Sequence, residues 1–199
     1  MLLKNNQFKK YSKIVCDNIV DVDEGEKIGD SLLVELNNST SGIGLAAPQI
    51  GLTKQVCVIN VKDTIVLVNP QIVEKSEETF PFAESCLSYP GKRVKTKRYV
   101  EVTVEADNHE GQLFFSADSK DIKDALECVC VQHEIDHLNG ITMFDREIKL
   151  EPYTAPKKFG RNEKVTITNG KESKELKWKK AQPLINTGDW EVYISGPLT

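Results

Sequence analysis

The sequence predicts an α+β fold in which mostly antiparallel sheets pack around one central helix. Three observations carry this expectation. One long helical pattern runs from Asp121 to Asn139; short Val- and Ile-rich runs joined by tight turns precede it; and 199 residues, 39% hydrophobic and 28% charged, suffice for one well-buried core plus a small appendage.

The elements follow in order. Gly25 to Ser39 places Ile28, Leu32 and Leu36 four residues apart, one stripe of an amphipathic helix that runs out in Asn37-Asn38-Ser39. A glycine-rich segment, Gly42 to Gln49, comes next. Val56 to Asn60 and Thr64 to Val68 read as short strands around a Val61-Lys62-Asp63 connection. Cys86 follows another strand and precedes the turn Tyr89-Pro90-Gly91. Val100, Val102 and Val104 alternate with polar residues as in a half-buried strand, and Asn108 to Gly111 turns the chain into Gln112 to Phe115. In the central helix, Ser119 or Asp121 caps the start and Gly140 closes the end, with Ile122, Leu126, Val129, Cys130, His133 and His137 on or near one face. Beyond Leu150 the pattern weakens to a hairpin of Val165 to Thr168 and Glu175 to Trp178 around Asn169-Gly170, with a strand at Trp190 to Ile194. The expected division is a catalytic domain over 1–150 and a basic C-terminal extension over 151–199, a small β-hairpin.

The net charge of −4 is unevenly spread. Lys157 to Lys180 holds nine basic against three acidic residues, a local +6, which leaves −10 elsewhere. An acidic body with a basic extension follows, although charge patterning alone defines a surface and not what it meets. No stretch has membrane-crossing length, and Met1 to Val15 lacks the apolar run of a signal peptide. The five cysteines (Cys16, Cys57, Cys86, Cys128 and Cys130) are odd in number and show no C-x-x-C spacing. They read as free thiols of a reducing compartment, so the expected location is cytoplasmic.

The run Gln132-His133-Glu134-Ile135-Asp136-His137-Leu138-Asn139-Gly140 carries the chemistry. Residues i and i+4 of a helix share a face, so His133 and His137 reach one metal ion while Glu134 stands beside any water there. The central helix is therefore read as metal-binding, on its buried side. A third ligand discriminates between enzyme classes. The metzincin continuation fails because Met143 stands where its last histidine belongs. Glu147, Glu151 and Glu163 lie downstream without supporting context. Cys86, upstream in a loop, gives a three-ligand site with one open position.

Three segments together, Gly42 to Gln49, Glu84 to Ser88 and Gln132 to Gly140, resemble the peptide deformylase family, whose motifs G-x-G-L-A-A-P-Q, E-G-C-L-S and Q-H-E-x-D-H-L-x-G occur in this order. The resemblance spans about Lys13 to Ile148 and departs at Ser85, where the family has glycine. If that position needs positive φ, serine is strained there.

The resemblance implies a hydrolase of protein biosynthesis that removes the formyl group from the N-terminal formylmethionine of nascent chains. It implies Cys86, His133 and His137 as metal ligands, Glu134 as proton carrier, and the Gln49 amide and Leu87 backbone N–H as donors to the oxyanion. The alternative role for Gln49 is a loop amide satisfying its own backbone. Gly44 lets backbone approach the substrate. Ile43, Phe82, Leu126, Val129 and Cys130 would enclose the methionine side chain, or simply pack the core. Arg93 would meet the substrate backbone, and Glu84 with Arg98 would brace the cysteine loop. Residue chemistry alone suits Zn2+ and Fe2+ equally; the resemblance implies Fe2+ as the working ion, with Zn2+, Ni2+ or Co2+ as other occupants. The expected protein is a monomer acting on N-formylmethionyl peptides. Its basic tail either docks on the ribosome or folds back on the acidic body. Competing classes are a protease of different specificity, opposed by Met143, and an inactive binding protein, opposed by the intact Gln49, Cys86 and Glu134.

Overall fold

A computed structural model describes residues 1–16, 19–148, 159–169 and 171–192. The chain divides into two compact units, Met1–Ile148 and Lys149–Thr199.

The first unit opens with a 3-10 turn (Phe8–Lys10) and continues with helix α1 (Val22–Asn37), capped by Asp21, whose side chain accepts from the backbone N–H of Glu24 at 2.9 Å. The helix starts three residues before the expected Gly25 because this cap lies outside the apolar stripe. Its buried positions are Gly25, Gly29, Leu32 and Leu36, while Ile28 is only half-buried. Strands β1 (Gly44–Ala46), β2 (Val56–Asn60) and β3 (Thr64–Val68) form one antiparallel sheet in that order. Val56 and Val58 of β2 pack with Leu32 and Leu36 of α1, whereas Cys57 and Ile59 pack on the far side. A strand covered on both faces needs apolar residues at consecutive positions, which is why Val56 to Ile59 reads as an unbroken run.

Strands β4 (Gln71–Lys75), β7 (Glu101–Glu105) and β8 (Leu113–Ser116) make a second antiparallel sheet, ordered β4-β7-β8. Strands β5 (Thr79–Ser85) and β6 (Arg93–Tyr99) pair with each other, Ser85 opposite Arg93 and Glu84 opposite Val94. Helix α2 (Ile122–Leu138), capped by Asp121 onto Lys123 N–H at 2.9 Å, lies at the centre. Val131, Ile135 and Leu138 join Cys57, Ile59, Leu67, Val102, Val104 and Phe115 in the main core.

The expectation of a single buried face on α2 is corrected. Every residue from Glu127 to Leu138 is buried, and Ile122 is 65% exposed. A helix enclosed on all sides shows no one-sided stripe, so its polar residues must find partners inside the protein.

The second unit contains strands β9 (Lys164–Thr168), β10 (Ser173–Lys177) and β11 (Glu191–Val192), antiparallel in the order β10-β9-β11, and helix α3 (Trp178–Ile185). Val165, Ile167, Trp178, Ala181 and Ile185 form its core. Asn169 makes the hairpin turn, its side chain accepting from Lys171 and Glu172 N–H at 3.0 and 2.9 Å. Gly170, Tyr193 and Ile194 lie outside the described residues. The expected strand end at Trp178 is instead the first residue of α3, a helix that the internal Pro183 disguises in the sequence.

Candidate active site

Helix α2 projects His133 and His137 one turn apart, with ring centroids 4.7 Å apart and planes at 86°. Strand β5 ends at Ser85 and delivers Cys86, whose Sγ lies 3.4 Å from His137 Nε2. One donor atom from each of Cys86, His133 and His137 falls within 4.8 Å of the others, and all three residues are buried. Thiolate and imidazole donors bonded at about 2.0–2.3 Å to a tetrahedral ion lie about 3.5 Å apart, so the trio fits a single metal.

His133 is fixed from behind by hydrogen bonding, whereas the buried Nδ1 of His137 makes no hydrogen bond among the described residues. His133 Nδ1 meets Glu84 Oε2 at 2.7 Å, and Glu84 is held by Arg98 through Nε at 2.5 Å and Nη2 at 2.9 Å, with Thr96 Oγ1 donating as well. Burial raises the Glu84 carboxyl pKa, but the bonds from Arg98 and His133 outweigh it and hold the group far below the usual carboxylate range. Phe8, fully buried, packs edge-on against His137 at 5.3 Å.

Glu134 faces the same space. Its Oε2 is buried and makes no hydrogen bond to the protein, and burial pushes its carboxyl up to about 7. A buried carboxylate oxygen left without a donor is expensive, and such groups mark sites of proton transfer. Gln49 sits in a 3-10 turn (Ala47–Ile50) and is 1% exposed. Its Oε1 accepts from Ala46 N–H at 2.8 Å, which aims Nε2 at Ser88 Oγ (3.2 Å) and Cys86 Sγ (3.6 Å). The amide therefore presents a donor, not an acceptor, to the site.

Gly44, Gln49, Cys86, Leu87, His133 and Glu134 line one cleft of ≈ 950 Å³. Ile43, Phe82, Arg93, Leu126, Val129 and Cys130 line the same cleft. His137 stands behind it, 1% exposed. Cys130 donates to Ile43 O at 3.3 Å, and Cys128 turns the other way toward the backbone oxygens of Tyr99 and Phe115. Met143 is buried at 1%; Glu147 is exposed where its backbone bridges Thr96, and Glu151 lies outside the described residues. His109 bonds Val66 O at 2.8 Å. Ser85 has no positive φ and pairs in the β5-β6 ladder, so serine costs the backbone nothing there. Asp136 and Arg146 escaped the sequence reading: Arg98 Nη1 donates to Asp136 Oδ2 at 2.5 Å, and Arg146 clamps both Asp136 oxygens.

A soft donor beside two imidazoles, opposite a carboxylate able to carry a proton and an amide able to steady an oxyanion, suits the splitting of an acyl bond by water. The fold and site thus define a metal-dependent hydrolase of the single-ion kind. The sequence model of the polypeptide deformylase family matches residues 4–153. A peptide deformylase of Hamiltonella defensa is 36% identical over 157 residues, covering 76% of this chain and 85% of that relative. One of Natranaerobius thermophilus is 45% identical over 108 residues, covering 53% of this chain and 65% of its relative's length, just under two thirds. Among solved structures, peptide deformylase from Thermotoga maritima superposes with a TM-score of 0.64 at 26% identity, covering 75% of this chain and 97% of that one. The chain belongs to the polypeptide deformylase family, metal-dependent enzymes that remove the formyl group from the N-terminus of nascent polypeptides.

Proposed function

We propose that this chain hydrolyses the formyl amide of N-formylmethionyl peptides in the cleft bounded by Gln49, Cys86 and Glu134. The unpartnered Glu134 Oε2, buried beside the Cys86, His133 and His137 donors, is the observation that carries this reading. Cys86, His133 and His137 would hold a metal ion, which when bound would supply Lewis acidity for the hydrolysis. Glu134 accepts the water proton at its free oxygen and returns it to the departing amine nitrogen, so that the C–N bond breaks to formate and a free N-terminus. Gln49 Nε2 and the Leu87 backbone N–H donate to the carbonyl oxygen as it gains charge. Gly44 leaves Glu134 room beside the substrate.

Ile43, Phe82, Leu126, Val129 and Cys130 enclose the methionine side chain, whose burial contributes about 1.5–3 kcal/mol. Arg93 at the rim meets a substrate peptide carbonyl. One thiolate and two imidazoles accept Fe2+, Zn2+, Ni2+ or Co2+, and we assign Fe2+ as the working ion. No described helix is long and apolar enough to cross a membrane. The reading extends to a monomer working in the cytoplasm, with the region 151–199 as a basic extension that docks on ribosomal RNA. Exposed Arg161, Lys177, Lys179 and Lys180 support the docking surface; Lys157 and Lys158 lie outside the described residues.

The test is formate release from formyl-Met-Ala-Ser alongside cleavage of unformylated peptides, with metal content measured on anaerobically purified protein. Formate release restricted to the formylated peptide is expected. A metal-loaded protein that releases none, or that cleaves internal peptide bonds instead, overturns the reading.

A further inference from the structure

Arg146 stands outside the three sequence motifs, and 38% of its side chain is exposed, yet its guanidinium reaches inward to a buried carboxylate. Nε and Nη2 donate to Asp136 Oδ2 and Oδ1 at 3.0 and 2.7 Å. Asp136 Oδ2 also accepts from Arg98 Nη1 at 2.5 Å, Arg98 turns its other donors to Glu84 at 2.5 and 2.9 Å, and Glu84 ends the chain on His133 Nδ1 at 2.7 Å. Four side chains connect the protein surface to the ring nitrogen of His133 that faces away from the site. The backbone of Arg146 is pinned to the same strand that carries Arg98, through Lys97 N–H to Arg146 O (3.4 Å) and Ile148 N–H to Lys95 O (2.7 Å).

Charges alternate along the chain, two guanidiniums against two carboxylates. Without Arg146, the 7%-exposed Asp136 keeps, among the described residues, only Arg98 as a cationic partner. Arg98 is then drawn toward Asp136, and its two-point grip on Glu84 loosens. Glu84 fixes the ring orientation of His133, so the disturbance arrives at the metal site.

We propose that Arg146 is a positioning residue for the metal site, holding Asp136 and, through Arg98 and Glu84, the imidazole of His133. The inference rests on the reading of Cys86, His133 and His137 as metal ligands. The experiment loads the full chain with Co2+ and follows its ligand-field absorption and its rate of transfer to an excess of chelator, for the parent, Arg146→Met, Arg146→Lys and Lys13→Met. Lys13→Met breaks the neighbouring Lys13–Asp145 pair, which is no part of the chain. Arg146→Met is expected to alter the absorption and to release Co2+ about 10-fold faster, the size typical for losing a partner behind a ligand. Arg146→Lys, which keeps the charge without the two-oxygen clamp, is expected between Arg146→Met and the parent, and Lys13→Met should match the parent. Parent-like release and absorption in Arg146→Met overturns the inference even if Tm falls. Should Arg146→Met not fold, parent-like behaviour of Arg146→Lys overturns it equally. A parent that takes up no Co2+ overturns the ligand reading first, and the inference with it.

Discussion

Gly44 lies so close to Glu134 that a Cβ at Gly44 would stand 2.6 Å from Glu134 Oε1, and equally 2.6 Å from Cys130 Sγ. No side chain fits between β1 and α2 at this point, and the carboxylate keeps its position because residue 44 has none. Gly44→Ala is therefore expected to push Glu134 off its line, lowering kcat by 10-fold or more while metal content stays at the parent level. Geometry errors of about 1 Å commonly cost that much or more. An alanine variant with parent kcat would show that Glu134 needs no such clearance.

Glu134 and Cys86 should separate cleanly by mutation. Glu134→Ala keeps near-stoichiometric metal and loses activity by about 10²–10⁴-fold, the usual contribution of a proton-transfer group. Cys86→Ala instead loses the metal, because two imidazoles remain where three donors converge. Metal analysis and formate assays on the two variants check both halves. Metal loss in Glu134→Ala would make it a ligand, contrary to the proposal.

Helix α1 lies against β3 closely enough that a Cβ on Gly29 would stand 2.4 Å from Val66 Cγ1. Alanine ordinarily stabilises a helix by about 1 kcal/mol over glycine, but overpacking costs about 1–3 kcal/mol. Gly29→Ala is expected to lower Tm, and adding Val66→Ala should recover part of the loss. A rise in Tm for the single variant would mean the helix has room to shift.

Asp145 accepts from Lys13 Nζ and from Thr142 N–H and Oγ1. Burial is the largest single influence and raises its pKa, but these partners together outweigh it and hold it at about 2, against an ordinary 3.8. A depressed carboxylate stabilises the fold fully above its unfolded value, and that stability fades as pH falls from 3.8 toward about 2. The side chain is 41% exposed, so solvent screening keeps the effect small. The Tm difference between parent and Asp145→Asn should be constant above about pH 5 and shrink on acidification through this window. A difference that widens with acid would reverse the assignment.

Truncation after Leu150 discriminates between the two roles of the C-terminal region. Ribosome docking predicts unchanged turnover on short formyl peptides, lost co-sedimentation with ribosomes, and full-chain binding that weakens steeply as salt rises, because lysines on phosphates displace counterions. A purely structural tail predicts a lower Tm after truncation and no co-sedimentation even for the full chain.

Residue spacing alone located the helix that carries both histidines, because the 3.6-residue period puts His133 and His137 on one face whatever surrounds them. It also located β2 and β3 through their Val and Ile content, and the loop carrying Cys86 through its flanking strand and turn. Strands β4 and β6 escaped it. In β6, Thr96 and Arg98 point inward while Arg93, Lys95 and Lys97 point out, so both faces are polar and the alternation that marks a strand is missing. Only the tertiary structure decided that α2 is enclosed on every side from Glu127 to Leu138, and that Arg98 meets Asp136 across 38 residues of sequence and Glu84 across 14. Local periodicity reports which face of an element is apolar. Which buried charges neutralise one another depends on contacts between elements distant in the chain, and these exist only once the sheets have closed around the helix.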